Sequence, residues 1–182
     1  MKFTKEQVQL LIDGAIAVIP TDTIYGFSAS VFKPDAIERI KAIKSRQYTK
    51  PFIILIGEIS ELRDLGVDYQ PYIKYIDQLW PGPNTLIFPF QSNQLGYLNP
   101  AGNTLAIRLP NHPELRQLLL ETGPLVSTSI NLDKGSPIND PVLINQLFSN
   151  QIDMMLSVGK LIANPSSIYQ VDLQSDRLIK LR

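Results

Sequence analysis

Two groups of polar residues in the chain have side chains of the types that bind anions. The first group includes Thr21 and Tyr25 and comes directly after an apolar run that stops at Pro20. Because proline cannot donate to a strand ladder, this run predicts a buried strand that ends there. The second group is Lys44 and Arg46, at the end of a charged segment with helical periodicity. Ligands of open α/β sheets bind at strand ends, so these hydroxyls and cations predict a site for an anionic ligand.

The two cations also have a purely structural interpretation, because positive charges near a helix C-terminus are favoured by the helix dipole. The chain contains neither G-x-x-x-x-G-K-[ST] nor G-x-G-x-x-G, so no glycine-rich phosphate loop is predicted. A bound phosphate would therefore be neutralised by side chains such as Lys44 and Arg46. Sequence physics alone leaves both interpretations open.

A second candidate site lies at the end of a strand predicted over residues 124–130. Ser129 and Asn131 could bind an amino-acid carboxylate or a ribose, although serine also favours turns for local reasons. Arg108 lies within an apolar strand predicted over residues 104–109. A cation in such a strand needs a partner or must face a cavity. An ion pair with a carboxylate and a role in ligand binding are both compatible with this pattern.

The composition disfavours several classes of protein. There is no cysteine, so disulfides, thiolate catalysis and cysteine-bound metals are excluded. The single histidine, His112, is predicted to stand at the start of a helix and leaves little for a histidine metal site. Lys plus Arg and Asp plus Glu both number 17, so the formal net charge is zero. Zero net charge disfavours a general nucleic-acid binder, which usually carries a basic excess.

The length of 182 residues predicts one domain, spanning residues 1–182, with no additional C-terminal domain. The N-terminal segment has no long apolar core, and no apolar run reaches the length of a membrane span. These features predict a cytoplasmic protein with no signal peptide and no membrane association.

Predicted strands alternate with predicted helices along the chain, which is typical of the α/β class with a mixed sheet. Helices are predicted over residues 4–13, 34–46, 59–65, 72–79, 113–121 (with a cap at Asn111) and 142–148. Strands are predicted over residues 15–19, 51–56, 85–90, 104–109, 124–130 and 154–158, with a terminal hairpin of 168–173 and 178–181. The segment between Pro20 and residue 34 is predicted to be a turn followed by a loop.

Six segments in order resemble one family over nearly the whole chain. They are P-T-D-T-I-Y-G (20–26), K-S-R (44–46), L-W-P-G-P-N-T (79–85), L-A-I-R (105–108), S-T-S-I-N-L (127–132) and N-P-S-S-I (164–168). This set resembles the YrdC family, the L-threonylcarbamoyladenylate synthases, in its short, single-domain form. The pair K-x-R and S-x-N is the most diagnostic part. The sequence departs from the family at Gln47, where members usually have proline.

The resemblance implies a twisted mixed sheet with flanking helices around a large, positively charged central cavity. It implies a nucleotidyltransferase that converts L-threonine, bicarbonate and ATP to threonylcarbamoyl-AMP, pyrophosphate and water. Mg²⁺ would accompany ATP, held mainly by phosphates and water, with no protein ligand assigned. The product would pass to a downstream transferase complex that makes N6-threonylcarbamoyladenosine in tRNA (t6A37).

The resemblance also implies roles for individual residues. The residues that would bind threonine are Thr21, Tyr25, Arg108, Ser129 and Ser166. ATP binding falls to Lys44, Thr104, Asn131, Asn139 and Arg182. Lys44 and Arg46 would carry the catalytic step by neutralising phosphate charge.

This chemistry suits the residue types present. A carbamate oxygen attacks the α-phosphate of ATP, which needs positioning and charge neutralisation more than a strong base. Two alternatives remain, an RNA-binding module and a paralogue of the same fold with altered activity. Zero net charge disfavours the first and predicts weak or no direct nucleic-acid binding. The presence of Lys44, Arg46, Ser129 and Asn131 disfavours the second.

Overall fold

A computed structural model describes residues 2–44, 51–90, 93–99, 102–132 and 135–182 of the chain. The helices are α1 Lys5–Asp13, α2 Pro34–Ile43, α3 Glu61–Asp64, α4 Ile73–Leu79, α5 Pro113–Thr122 and α6 Pro141–Phe148, with short 3₁₀ turns at Gln70–Tyr72 and Asn93–Leu98. The strands are β1 Ala17–Pro20, β2 Tyr25–Ser30, β3 Ile53–Leu55, β4 Asn84–Pro89, β5 Thr104–Arg108, β6 Leu125–Ser129, β7 Met154–Met155, β8 Ser167–Asp172 and β9 Arg177–Lys180. Arg46 and Gln47 lie outside the described residues.

The described strands form one mixed sheet in the order β7-β1-β2-β6-β3-β5-β4-β8-β9. The pairs β1–β7, β3–β5 and β4–β8 are parallel, and the other neighbouring pairs are antiparallel. The α/β class and the mixed sheet predicted from the sequence are confirmed, as is the terminal hairpin of β8 and β9. Within the described part of the chain, no helix is long and apolar enough to cross a membrane.

The prediction of a turn and loop after Pro20 is wrong for Tyr25–Ser30, which form the interior strand β2. Pro20 itself belongs to β1 and stands opposite Tyr25 in the hairpin. All six residues of Y-G-F-S-A-S are buried, with apolar side chains at positions 25, 27 and 29 and glycine or serine at positions 26, 28 and 30. The small residues are needed for close packing, since a Cβ on Gly26 would clash with Oγ of Ser127 on β6.

The two faces of the sheet carry different side chains, as the alternation of a strand requires. One face packs large apolar residues such as Phe27, Phe88 and Ile107 into the main core. The pairing register places Gly26, Ser127, Ser129 and the other alternate residues of these strands on the opposite face. Part of that second face is covered by α1 and α5 through a smaller apolar cluster. The small residues leave the remainder of the second face available for polar groups.

Local signals set the helix starts. Thr4 and Gln7 form a capping box at the start of α1, with reciprocal hydrogen bonds of 3.2 and 3.0 Å. The predicted cap at Asn111 is wrong, because His112 Nδ1 accepts the hydrogen bond from Leu115 N at 3.3 Å and α5 begins at the next residue. The Asn111 N–H is instead bound by a distant carboxylate, which belongs to the site described below.

The strand predicted over residues 154–158 is confirmed only for its first two residues, which form β7. The chain leaves the sheet after a last bond from Leu156 N to Val18 O at 2.9 Å. Val158 N then donates to the hydroxyl of Tyr25 at 3.0 Å instead of to a strand.

Candidate active site

The β1–β2 turn is organised by the hydroxyl of Thr21. This oxygen donates to Ile24 O at 2.8 Å and accepts from Thr23 N and Ile24 N at 3.1 and 3.2 Å. Thr23 Oγ1 lies 2.9 Å away, and both threonines are buried. These bonds hold the turn in one conformation and fix where Asp22 and Thr23 present their side chains.

Arg108, at the end of β5, is held by this turn. Its Nη2 forms an ion pair with Asp22, and its Nη1 donates to Thr23 Oγ1 at 3.1 Å. The contact bridges β1–β2 and β5, which β6 and β3 separate in the sheet. The carboxylate partner of Arg108, which the sequence did not identify, is therefore Asp22. The side chain of Arg108 is only 4% exposed, and its Nε has no hydrogen-bond partner among the described residues.

The electrostatic environment of Arg108 is shaped by burial and by a second arginine. Burial is the main cause that lowers the pKa of Arg108 below its ordinary value, and the charge of Arg182 acts in the same direction. The negative charge of Asp22 opposes both effects. The positive charge of Arg182 therefore acts on Arg108, and an anion beside Arg108 would be stabilised by both charges.

Ser166 joins the second arginine to this region. Arg182 donates from Nε and Nη2 to Ser166 O at 3.1 and 2.9 Å. The hydroxyl of Ser166 lies 2.9 Å from Thr85 Oγ1, and both hydroxyls are buried. The structure thus brings together Thr21, Arg108, Ser166 and Arg182, which the resemblance assigned to threonine and ATP.

Lys44 and the S-x-N motif form the second part of the site. Lys44 follows α2 directly, and its Nζ donates to Ser129 O at 2.7 Å and to Oδ1 of Asn131. Ser129 Oγ donates to the same amide oxygen at 3.3 Å, and Asn131 Nδ2 donates to Gly135 O at 3.3 Å. Lys44 therefore stands at a helix end, as the dipole interpretation requires, and also directs its amine onto the end of β6.

Tyr25 and Asn139 connect β2 to the loop over residues 156–166. Tyr25 N donates to Asn139 Oδ1 at 3.2 Å, and Asn139 O accepts from Leu161 N at 3.0 Å. The hydroxyl of Tyr25 donates to Gly159 O at 2.8 Å. The side chain of Tyr25 is fully buried, with its ring in the main core and its hydroxyl bound to the loop, so its role in threonine binding stays a prediction.

Thr104 begins β5 and lies on the same strand face as Arg108, four residues away. Its carbonyl and hydroxyl both accept from Asn99 Nδ2, at 2.9 and 3.2 Å. Within the described part of the chain, Thr104 does not hydrogen-bond to the other predicted site residues. Arg46, predicted to act with Lys44, lies outside the described residues.

Sequence reasoning assigned no role to Asp22, Thr23 or Thr85, all of which contact predicted site residues. Asp22 was recognisable as an acidic residue between two threonines at a strand end. Its partner Arg108 was recognisable as a cation in an apolar strand. Nothing local connects the two, because they are 86 residues apart in the chain.

The fold and the site define a class of α/β protein in which a mixed sheet carries lysine, arginine and hydroxyl groups at its strand ends. The Sua5/yciO/yrdC family model, described as "Telomere recombination", matches residues 9–182. The chain belongs to this family.

Relatives support the same assignment. The threonylcarbamoyl-AMP synthase of Pseudomonas fluorescens (strain Pf-5) is 32% identical over 170 residues, which cover 92% of this chain and 90% of the relative. The protein of the same name from Pseudomonas entomophila is 33% identical over 144 residues, covering 79% and 78% of the two chains.

Solved structures share the fold. The structure of YciO from E. coli matches with a TM-score of 0.84 and 26% identity, covering 97% of this chain and 86% of YciO. Sua5 from P. abyssi in complex with L-threonine matches with a TM-score of 0.87 and 22% identity. This chain is covered completely in that comparison but spans only 55% of the Sua5 chain. The twisted mixed sheet with flanking helices is therefore the fold of Sua5 and YciO.

Proposed function

We propose that this protein is an L-threonylcarbamoyladenylate synthase, a nucleotidyltransferase that forms threonylcarbamoyl-AMP and pyrophosphate from L-threonine, bicarbonate and ATP. One observation carries the proposal. Three cations, Lys44, Arg108 and Arg182, are each held by a hydroxyl-bearing residue, namely Ser129, Thr23 and Ser166. Such a site matches substrates that bring a carboxylate and a triphosphate. Names of relatives that cover most of the chain support the same reaction.

The amino-acid carboxylate would bind at Arg108. Its Nε is a buried donor without a protein partner in the described residues, and buried donors normally have one. A ligand carboxylate would satisfy this donor through a charge-assisted hydrogen bond. Ser166 and Thr21 lie in the same group and would contribute hydroxyls around the threonine side chain.

The phosphates of ATP would bind nearer Lys44 and Arg182. Lys44 Nζ is held by Ser129 O and Asn131 Oδ1, which direct the amine to the end of β6. Arg182 is held through Ser166 O. In the reaction the threonine amine and bicarbonate give a carbamate and water, and a carbamate oxygen then attacks the α-phosphate with pyrophosphate as leaving group. Fixed cations stabilise the negative charge that spreads during this displacement.

Mg²⁺ would enter with ATP. The described residues contain no cluster of three or more His, Cys, Asp or Glu that could hold a metal ion. This composition fits an ion coordinated by phosphate oxygens and water, as Mg²⁺ commonly is. When bound it neutralises phosphate charge and orients the leaving group. The product would serve a downstream t6A transferase complex acting on tRNA, and the chain itself would bind nucleic acid weakly or not at all.

The test is pyrophosphate release from ATP, measured with each substrate omitted in turn. We expect release to require both L-threonine and bicarbonate. Serine should be poorer by about tenfold or more, because the loss of one methyl contact costs about 1–3 kcal/mol. Equal release without any amino acid would contradict the proposal. Tight, salt-sensitive RNA binding without amino-acid-dependent ATP use would favour the RNA-binding alternative.

A further inference from the structure

Asp22 lies at the junction of three elements of the site. Its Oδ1 pairs with Nη2 of Arg108 on β5, and its Oδ2 accepts from Asn111 N before α5 at 3.0 Å. The residue itself belongs to the β1–β2 turn that Thr21 organises. Both carboxylate oxygens are therefore used, and the side chain is only 10% exposed.

The negative charge of Asp22 compensates the buried positive charge of Arg108. Arg108 is almost completely buried and lies near a second cation, Arg182. A buried charge without a counter-charge is strongly unfavourable, so a guanidinium that lost Asp22 would move towards solvent or towards Ser166 and its neighbours. The position of the Arg108 head group thus depends on Asp22.

The hydrogen-bond donors of Arg108 show which edge of its guanidinium remains for a ligand. A guanidinium has five N–H donors in one plane. Nη2 is used on Asp22 and Nη1 on Thr23, and these two bonds together fix the plane of the group. Nε remains buried with no partner among the described residues. The turn therefore holds the guanidinium by its end and leaves the Nε edge for another acceptor.

We propose that Asp22 is a positioning residue that sets the orientation of Arg108 for the carboxylate of the amino-acid substrate. It does not touch the substrate, and it acts through the guanidinium. This inference rests on the proposed function for the identity of the substrate. It predicts that loss of the Asp22 charge weakens amino-acid binding specifically and leaves nucleotide binding almost unchanged.

The experiment compares D22N with the wild-type protein in two measurements, L-threonine binding by calorimetry and steady-state pyrophosphate release. Asn keeps the size and one acceptor oxygen but removes the charge. We expect the Kd and KM for threonine to rise about tenfold or more, the loss of one charge-assisted contact. The KM for ATP should stay within about twofold, and the matched variant D77N, at an exposed aspartate, should behave as wild type.

A double-mutant cycle separates positioning from general support of the fold. If Asp22 acts through Arg108, D22N should add little to the threonine Kd in an R108Q background, because the shared interaction is already lost. Independent, additive effects of the two substitutions would overturn the proposal. If D22N does not fold, D22E takes its place, since it keeps the charge but moves the carboxylate by one methylene relative to Nη2 of Arg108. Threonine binding by D22E equal to that of the wild type would then overturn the proposal.

The outcomes also distinguish this inference from the proposed function. Wild-type protein that fails to bind threonine and to release pyrophosphate would refute the proposed function itself. Wild-type protein that does both, with D22N indistinguishable from it, would overturn only the role of Asp22. A D22N variant that loses affinity for threonine and ATP equally would indicate a structural role and would also overturn the proposal.

Discussion

Lys44 connects the end of α2 to the end of β6, and its amine contacts two groups of the S-x-N segment. A cation at a helix end contributes only about 0.3–1 kcal/mol through the dipole, and a net hydrogen bond contributes about 0.5–1.5 kcal/mol. The same charge beside a reacting phosphate contributes several kcal/mol to the transition state. If Lys44 acts only through the helix dipole, its removal should change stability. If Lys44 binds the reacting phosphate, its removal should change the rate of the reaction.

Substitution Lys44→Ala should lower kcat for pyrophosphate release by about 10²–10³-fold, the effect of removing one fixed charge-stabilising donor. The free energy of unfolding should fall by less than about 2 kcal/mol, because few stabilising contacts are lost. Enzyme kinetics and urea unfolding measure the two effects. Lys5→Ala, in the exposed first turn of α1, is the control and should change neither. An unstable Lys44→Ala variant whose folded fraction is fully active would mean that Lys44 acts only on the helix.

Arg182 is the second residue whose role in ATP binding can be measured separately from its effect on protein stability. It is exposed and binds Ser166 O through two of its nitrogens. We expect Arg182→Ala to raise the KM for ATP about tenfold or more, since a charge-assisted contact contributes about 1.5–3 kcal/mol. Arg182→Lys should restore this only in part, because an ammonium cannot reproduce the planar fork.

The measurement is steady-state kinetics at saturating threonine and bicarbonate. Arg177→Ala, at an exposed position of β9, is the matched control. An unchanged KM for ATP in Arg182→Ala would remove this residue from the ATP site. A large loss of thermal stability would instead indicate that it mainly anchors the segment around Ser166.

At the residue scale, the types of residue at the site were easier to predict from the sequence than the contacts between them. Lysine, serine and asparagine in the K-x-R and S-x-N segments pointed to an anion site, and Lys44, Ser129 and Asn131 do come together. The partner of Arg108 could not be predicted, because Asp22 is brought to it by the turn and by the sheet order. Such long-range contacts leave no pattern in local sequence.

At the scale of single elements, β2 and β6 approach closely because one of them carries glycine. A Cβ at position 26 would overlap Oγ of Ser127, whereas it would lie 3.7 Å from the Ser127 Cβ, an ordinary contact. Gly26→Ala should therefore lower the free energy of unfolding by about 1–3 kcal/mol through overpacking. The double variant with Ser127→Ala should recover most of this loss, because the overlapping atom is gone.

Urea unfolding of the wild type, the two single variants and the double variant tests the packing of these strands as a cycle. Ser127→Ala alone should have an effect below about 1 kcal/mol. Additive losses in the double variant would contradict the close approach of Gly26 and Ser127.

The carboxylate of Asp153 links α2 to the β7–β1 side of the sheet, and the strength of this link should depend on pH. Asp153 accepts from Ile16 N at 2.7 Å and from both Nη atoms of Arg39 at 3.0 Å. The hydrogen bond from Arg39 is the main cause that lowers the pKa of Asp153 below its ordinary 3.8. A carboxylate with a lowered folded pKa stabilises the protein above the unfolded pKa, and this stabilisation is lost as the pH falls through the folded value.

The wild type should therefore be more stable than Asp153→Asn above pH 3.8, and the difference should shrink as the pH falls below that value. Both partners are partly exposed, so the full difference should stay below about 1 kcal/mol. Urea unfolding at a series of pH values measures it, with Asp77→Asn as the exposed control. A difference that is independent of pH would show that the charge of Asp153 is not involved.

Elements with local signals were predicted well, and interior strands were not. The capping box of α1 and the hairpin of β8 and β9 depend on residues that are neighbours in sequence. The strand β2 was missed because its glycine and serines suggest a loop. Their small size is explained only by the neighbouring strand β6, which lies 100 residues further along the chain.

At the scale of the whole molecule, the candidate site contains several cations although the formal net charge of the chain is zero. Lys44, Arg108 and Arg182 are each bound by a hydroxyl-bearing residue, and Arg108 is also paired with Asp22. Local charge of this kind suits a small anionic substrate, whereas nucleic-acid binding usually needs an extended basic surface. The large central cavity implied by the resemblance stays a prediction.

The central claim is that this site joins threonine, bicarbonate carbon and AMP. The most direct measurement is mass spectrometry of the nucleotide products formed from ATP, L-threonine and ¹³C-bicarbonate. We expect a product that contains AMP, threonine and the labelled carbon, formed by the wild type and Lys5→Ala and reduced about 10²-fold or more in Lys44→Ala. Pyrophosphate release without a labelled threonine adduct, or an adduct formed equally by Lys44→Ala, would contradict the account.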